Sequence, residues 1–215
     1  MTLHQRVTAE TAIATTGTPE GLSAIRRPEC AAALWYREPL ASFQTWIDTV
    51  EPELLPRTRT VLRPDSVRQA TRHICELCST PDCSERAMLI DDIAAMADIF
   101  EGLMDAPYVL LRLDVVTSNM CRKFHIDAVT ARLICTYRGT GTQYGFSRDG
   151  TDPHQVFTAP TGVPVLFRGT DWPQNPNSHL RHRSPPIEGT GETRLVLVLD
   201  PVTEPDEHMD QTHFH

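Results

Sequence analysis

The sequence predicts an α+β fold, in which a helical first half packs on a β-rich second half that closes as a sandwich or barrel. Two observations carry this. Between residues 40 and 107, apolar side chains recur at the 3- and 4-residue steps of buried helix faces. From Tyr108 onward the texture changes to short apolar runs separated by Gly, Pro, Asn and Asp, with no helical stretch between them.

Residues 1–27 are rich in Thr, Ala and Gly without a sustained period, and a loose arm is expected there. Residues 28–107 form the mainly helical region. Within it, Ala31–Tyr36 suits a short strand. Pro39 then sits in the first turn of a helix from Leu40 to Val50, where its missing N–H would be unpaired anyway. Phe43, Trp46, Ile47 and Val50 line that helix's buried face. Ser66 is placed to cap a second helix running to about Leu77, with Gln69 completing a capping box. A third helix runs through Met88, Ile90, Ile93, Met96, Ile99 and Phe100, and Gly102 and Pro107 mark its end. Its methionines read as core filler.

Residues 108–202 are expected to form the β core. Strands fit Tyr108–Val116, Ala131–Arg138, Gln155–Thr158, Val163–Phe167, Leu180–Arg183 and Arg194–Asp200. Residues 203–215 read as a polar, disordered tail.

Composition bounds the function. A chain of 215 residues can bury a core without staples. A net charge of −8 argues against a general nucleic-acid binder, which needs a basic face. No apolar run approaches the roughly 20 residues that span a bilayer, and no apolar secretory segment follows Met1. The six cysteines are therefore read as reduced thiols or metal ligands, and a cytoplasmic location is expected.

The chemistry concentrates in His125-Ile126-Asp127, His182 and Arg194. Two histidines and one carboxylate cover one face of a metal and leave the other open. On a strand, residues 125 and 127 share a face, so a strand ending at Asp127 would present both ligands at its mouth. Arg194 opens the most apolar strand, where an unpaired cation is costly, so a carboxylate partner is expected. The alternative is structural, with both histidines as satisfied core residues and Arg194 paired to Asp127. A second possible metal group is His73, Cys75, Cys78 and Cys83. Cys-x2-Cys has zinc-knuckle spacing, but a redox thiol pair and ordinary helix-end cysteines are also open.

The ordered set of His-x-Asp, the apolar run Gly162–Phe167, His182 and Arg194 resembles the double-stranded β-helix, or jelly roll, of Fe(II)/2-oxoglutarate oxygenases. The resemblance implies iron ligation by His125, Asp127 and His182. It also implies a 2-oxoglutarate anchor at Arg194 and a second cosubstrate contact at Tyr137. A closer resemblance is to the domain of unknown function 1826 family. It is carried by Cys121–Asp127, Arg132–Thr142, Trp172-Pro173 and His182–Pro186, and it covers roughly residues 30–200. That family has no assigned reaction; a link of its members with bacterial zinc homeostasis admits zinc as the metal.

The leading expectation is a non-haem Fe(II), 2-oxoglutarate-dependent oxygenase, of the hydroxylase type, acting on an unknown small molecule or peptide. A zinc-binding, non-redox protein of metal homeostasis is the alternative. A third reading is a jelly roll that has lost catalysis and serves as an interaction module.

Overall fold

The computed structural model describes residues 12–173 and 178–205. The strands are β1 (Ile13–Thr16), β2 (Ala32–Trp35), β3 (Thr58–Leu62), β4 (Tyr108–Val116), β5 (Ala131–Arg138), β6 (Gln143–Phe146), β7 (Phe157–Thr158), β8 (Val165–Arg168), β9 (Leu180–Arg183) and β10 (Arg194–Val202). Three α-helices lie between them: α1 (Ala41–Thr49), α2 (Val67–Leu77) and α3 (Ser84–Met104). Seven strands form one sheet in the order β1-β2-β8-β5-β10-β4-β3, and three form a second in the order β7-β6-β9.

The large sheet is buried on both faces. Along β10, Leu195, Leu197 and Leu199 join a core with Phe43 and Ile47 of α1 and Ile93, Met96 and Phe100 of α3. The intervening Val196 and Val198 join a second core with Ile134, Val165, Phe167, Tyr144 and Leu180, between the two sheets. Alternation of side chains along a strand produces this sorting. A strand covered on both sides reads as one continuous apolar run, which is why β10 is the most apolar stretch in the sequence.

The first half is not purely helical. It supplies β1, β2 and β3 to the large sheet, with β1 parallel to β2 and β3 antiparallel to β4. The expected loose arm is likewise corrected over Ile13–Arg26. After β1, a 3₁₀ helix spans Pro19–Arg26 and buries Leu22 and Ile25. The guanidinium of the buried Arg168 on β8 ties this segment down, donating to the carbonyls of Ile25 (2.6 Å) and Pro28 (3.0 Å). Residues 1–11 and 206–215, which include most of the expected tail, lie outside the described residues.

Two capping expectations also change. The hydroxyl of Ser66 donates to the Asp65 carboxylate (3.0 Å) instead of capping α2. Gly102 lies inside α3, and Asp105 ends that helix in the left-handed conformation (φ 53°), its N–H donating to the Glu101 carbonyl at 2.8 Å. No helix among the described residues is long and apolar enough to cross a membrane.

Candidate metal centre

His182 sits on β9, in the small sheet. His125 lies in the chain that leads toward β5 and pairs with His182 as a single antiparallel bridge, each N–H reaching the other's carbonyl at 3.0 Å. The expected strand through Asp127 is thus reduced to that one bridge. Beyond it the backbone turns, and the Asp127 carbonyl accepts from the Thr170 N–H (2.8 Å). Gly169 permits this close approach, since a Cβ there would lie 1.8 Å from the Val129 carbonyl oxygen and 2.8 Å from that of Asp127.

The result is a cluster. One ligand atom each from His125, Asp127 and His182 lie within 4.8 Å of one another. Nε2 of His182 is 2.9 Å from Asp127 Oδ2, and Nε2 of His125 is 3.4 Å from Oδ1. His182 is buried and the Asp127 side chain only 9% exposed, while His125 is about one-third exposed (35%) at the rim. The His182 ring stacks on Phe167, with centroids 4.7 Å apart, which fixes its plane.

Proton positions favour a ligand set. Nδ1 of His125 faces the Lys123 carbonyl at 2.9 Å. A carbonyl only accepts, so Nδ1 carries the proton and Nε2 presents its lone pair. Asp127 Oδ2 is buried with no hydrogen-bond donor aimed at it, even though His182 Nε2 is 2.9 Å away. A nitrogen and an oxygen at that distance without a directed proton suit a shared cation. The residues therefore fit a divalent metal, and the donor set admits both iron and zinc.

Electrostatics couple the same three groups. Burial opposes ionisation of Asp127, but His125, His182 and Arg132 outweigh it and hold the carboxyl well below the usual range. Burial pushes the His182 pKa down, against the pull of Asp127. The interaction with Asp127 raises the His125 pKa despite partial burial.

Arg132 organises the carboxylate from behind. It pairs with Asp127 Oδ1 and forks onto Asp200 of β10 through Nε (2.6 Å) and Nη2 (2.7 Å). Neither Arg132 nor Asp200 was singled out from sequence as a site residue. The argument applied to Arg194, that a charge in an apolar strand needs a partner, would have found both.

A cavity of about 90 Å³ opens beside the cluster, and His125, His182 and Arg194 all line it. Arg194 is 1% exposed. It donates from Nε to the Thr140 carbonyl (2.6 Å) and from Nη2 toward the Thr136 hydroxyl (3.5 Å). Among the described residues it forms no ion pair, and burial pulls its pKa down to about 10. Arg194 does not pair with Asp127, so the structural alternative for it is corrected.

Two other expectations fail geometrically. Tyr137 lies on the opposite face of β5, in the helix-side core, where its hydroxyl donates to Asp92 Oδ2 of α3 (2.7 Å). It does not reach the metal-side cavity. The residues His73, Cys75, Cys78 and Cys83 form no cluster. Among the described residues, His125–Asp127–His182 is the one group of this kind. Cys75 points into the core and burial raises its thiol to about 11, while His73 is exposed and faces Glu76 at 3.7 Å. Positions two apart on a helix point to different sides.

Known structures resemble the fold. The dioxygenase for auxin oxidation 1 from Arabidopsis thaliana, solved with 2-oxoglutarate, superposes with a TM-score of 0.55 at 11% identity, covering 94% of this chain and 99% of that one. The rice dioxygenase for auxin oxidation gives 0.49 at 11% identity, covering 90% of this chain and 83% of that one. A 2OG-Fe(II) oxygenase-family oxidoreductase from Burkholderia pseudomallei gives 0.43 at 13% identity, covering 91% of this chain and 98% of that one. At such identity the likeness is one of fold: a mixed α/β architecture similar to the jelly-roll folds of 2-oxoglutarate oxygenases. No curated protein matches the sequence. The family model described as "Protein of unknown function (DUF1826)" matches residues 16–200, and the chain belongs to that family.

Proposed function

We propose that this protein is a non-haem Fe(II), 2-oxoglutarate-dependent oxygenase of the hydroxylase type, with His125, Asp127 and His182 as metal ligands and Arg194 as the cosubstrate anchor. One observation carries the reading. The two histidines of a two-histidine, one-carboxylate cluster line one cavity with a buried arginine that has no acid partner. Purely structural histidines give no reason for the second feature, because burying an unpaired cation is expensive.

His125, Asp127 and His182 would hold a ferrous ion, which would supply O₂ reduction coupled to oxidative decarboxylation of 2-oxoglutarate. The chain's own residues do the rest. The Lys123 carbonyl fixes the His125 tautomer, and Arg132 aims the Asp127 carboxylate. The Thr140 carbonyl and Thr136 hydroxyl orient the Arg194 fork so that it meets a carboxylate in plane. Ile134, Val196 and Val198 supply apolar surface to the same cavity.

The test is spectroscopic. Protein loaded with Fe(II) and 2-oxoglutarate without oxygen is expected to show a weak visible charge-transfer band, and Arg194→Ala is expected to lose it while retaining the metal. Absence of a band, or a band indifferent to Arg194→Ala, contradicts the proposal. Zinc alone in protein purified without added metal would favour the non-redox alternative.

A further inference from the structure

We propose that Arg112 is the anchor for an acidic group of the substrate, so that the substrate is a small organic anion bearing a carboxylate or a phosphate. This rests on the oxygenase reading of the same cavity.

The argument is one of charge balance. Four guanidinium groups line the cavity, those of Arg112, Arg132, Arg183 and Arg194, against one lining carboxylate, Asp114. Arg132 is already held by Asp200 and Asp127. Arg194 is the cosubstrate anchor. Arg183 donates to the Gln143 side-chain carbonyl (2.8 Å) and stacks over Phe124 at 4.4 Å, so part of its surface is covered. Arg112 is different. Among the described residues it forms no ion pair, and its Nε is buried with no acceptor. The carboxylates that act on Arg112 are Asp200, already forked by Arg132, and Asp114, on the same strand face; neither comes within ion-pair distance of it. Across the ladder, Arg59 of β3 stands directly opposite Arg112, which adds like charge instead of relieving it. A buried guanidinium N–H without an acceptor costs free energy that an incoming anion would recover.

Register separates this anchor from the cosubstrate anchor. In the β4–β10 ladder, Arg194 pairs with Val116, while Arg112 pairs with Val198. The two rungs are four residue steps apart, about 13 Å at roughly 3.3 Å per residue. A five-carbon diacid held at one end by Arg194 and at the other by the metal leaves Arg112 free. Arg112 and Arg194 thus enter the cavity lining from separate rungs of the sheet, and both histidines line it with them.

The test uses acetate and inorganic phosphate as probes in separate calorimetric titrations at constant ionic strength. They are run on metal-free protein and on protein saturated with Mn(II) and 2-oxoglutarate. Saturable binding of one probe is expected in both forms, and the probe that binds identifies the anion. Arg112→Gln is expected to weaken it by about tenfold or more, the scale of a charge-assisted hydrogen bond. Arg112→Lys should restore part of the loss, which separates lost charge from a folding defect. The 2-oxoglutarate affinity of Arg112→Gln should stay within about twofold of wild type, a change too small to represent a lost anchor. Failure of both probes to bind, or equal binding to wild type and Arg112→Gln, overturns the inference. So does a loss of 2-oxoglutarate from Arg112→Gln as large as from Arg194→Gln, which would make Arg112 a cosubstrate residue. If the protein takes up neither Mn(II) nor 2-oxoglutarate, the oxygenase reading fails by itself, and the metal-free titrations still decide the anion site.

Discussion

The two faces of the large sheet use the same strands for opposite ends. On the helical face, β4, β5 and β10 present Leu111, Leu113, Leu133, Cys135, Leu197 and Leu199 to α1 and α3. The charged groups on that side are mutually paired. Arg37 forks onto Asp92 (2.5 and 2.7 Å), and the Tyr137 hydroxyl completes the carboxylate's shell. On the other face the same strands carry Arg112, Asp114, Arg132, Arg194 and Asp200. There the bonding is incomplete, with Asp127 Oδ2 and Arg112 Nε unpartnered and Arg194 without an acid. The buried unpartnered groups on the helical side, Trp46 Nε1 and Thr71 Oγ1, are neutral, whereas those of Asp127 and Arg112 are charged; an unpaired buried charge costs the most, so the inner face is the one with something to bind.

Substitutions on either face sharpen that contrast. The largest effect on stability is expected from Leu197→Ala, at a fully buried helical-face position. It should cost roughly 2–5 kcal/mol of unfolding free energy, read by urea denaturation, while metal affinity of the remaining folded protein is unchanged. Asp92→Ala should cost about 2–3 kcal/mol, because it strands Arg37 and the Tyr137 hydroxyl in partly buried surroundings. It too should leave metal binding alone, and a loss of metal would join two faces that the geometry keeps apart. On the inner face, Arg132→Met is expected to lower metal affinity by about 10–100-fold, the usual scale for groups that orient a ligand. An unchanged metal titration would mean that Asp127 needs no support. The smallest effect belongs to Cys78→Ser, with metal content unaltered, as measured by elemental analysis.

The two faces also differ in how much could be read from sequence. Helices α1 and α3 are legible because their apolar positions recur at helical spacing on one buried face. The metal ligands and Arg194 are legible because each is a residue type out of place in its surroundings. Tyr137 is not assignable from pattern alone. In Leu133-Ile134-Cys135-Thr136-Tyr137 both faces of β5 are buried, so alternation leaves no polar side to set the orientation. The register shift between Leu195 and Val196 in the β5–β10 ladder adds a local change of phase there. Strands β1, β3 and β6 are short and partly exposed, and their residues carry little periodic signal. The arm's order depends on Arg168, a contact far removed in sequence that no local pattern encodes.

On this proposal the inner face holds its metal through Asp127. Fe(II) binding measured without oxygen by equilibrium dialysis tests it most directly, on wild type and on Asp127→Ala, which leaves Arg132 its fork onto Asp200. One equivalent of iron is expected in the wild type, with loss of that iron in a variant that melts near the wild-type temperature. A full equivalent retained by Asp127→Ala would contradict it.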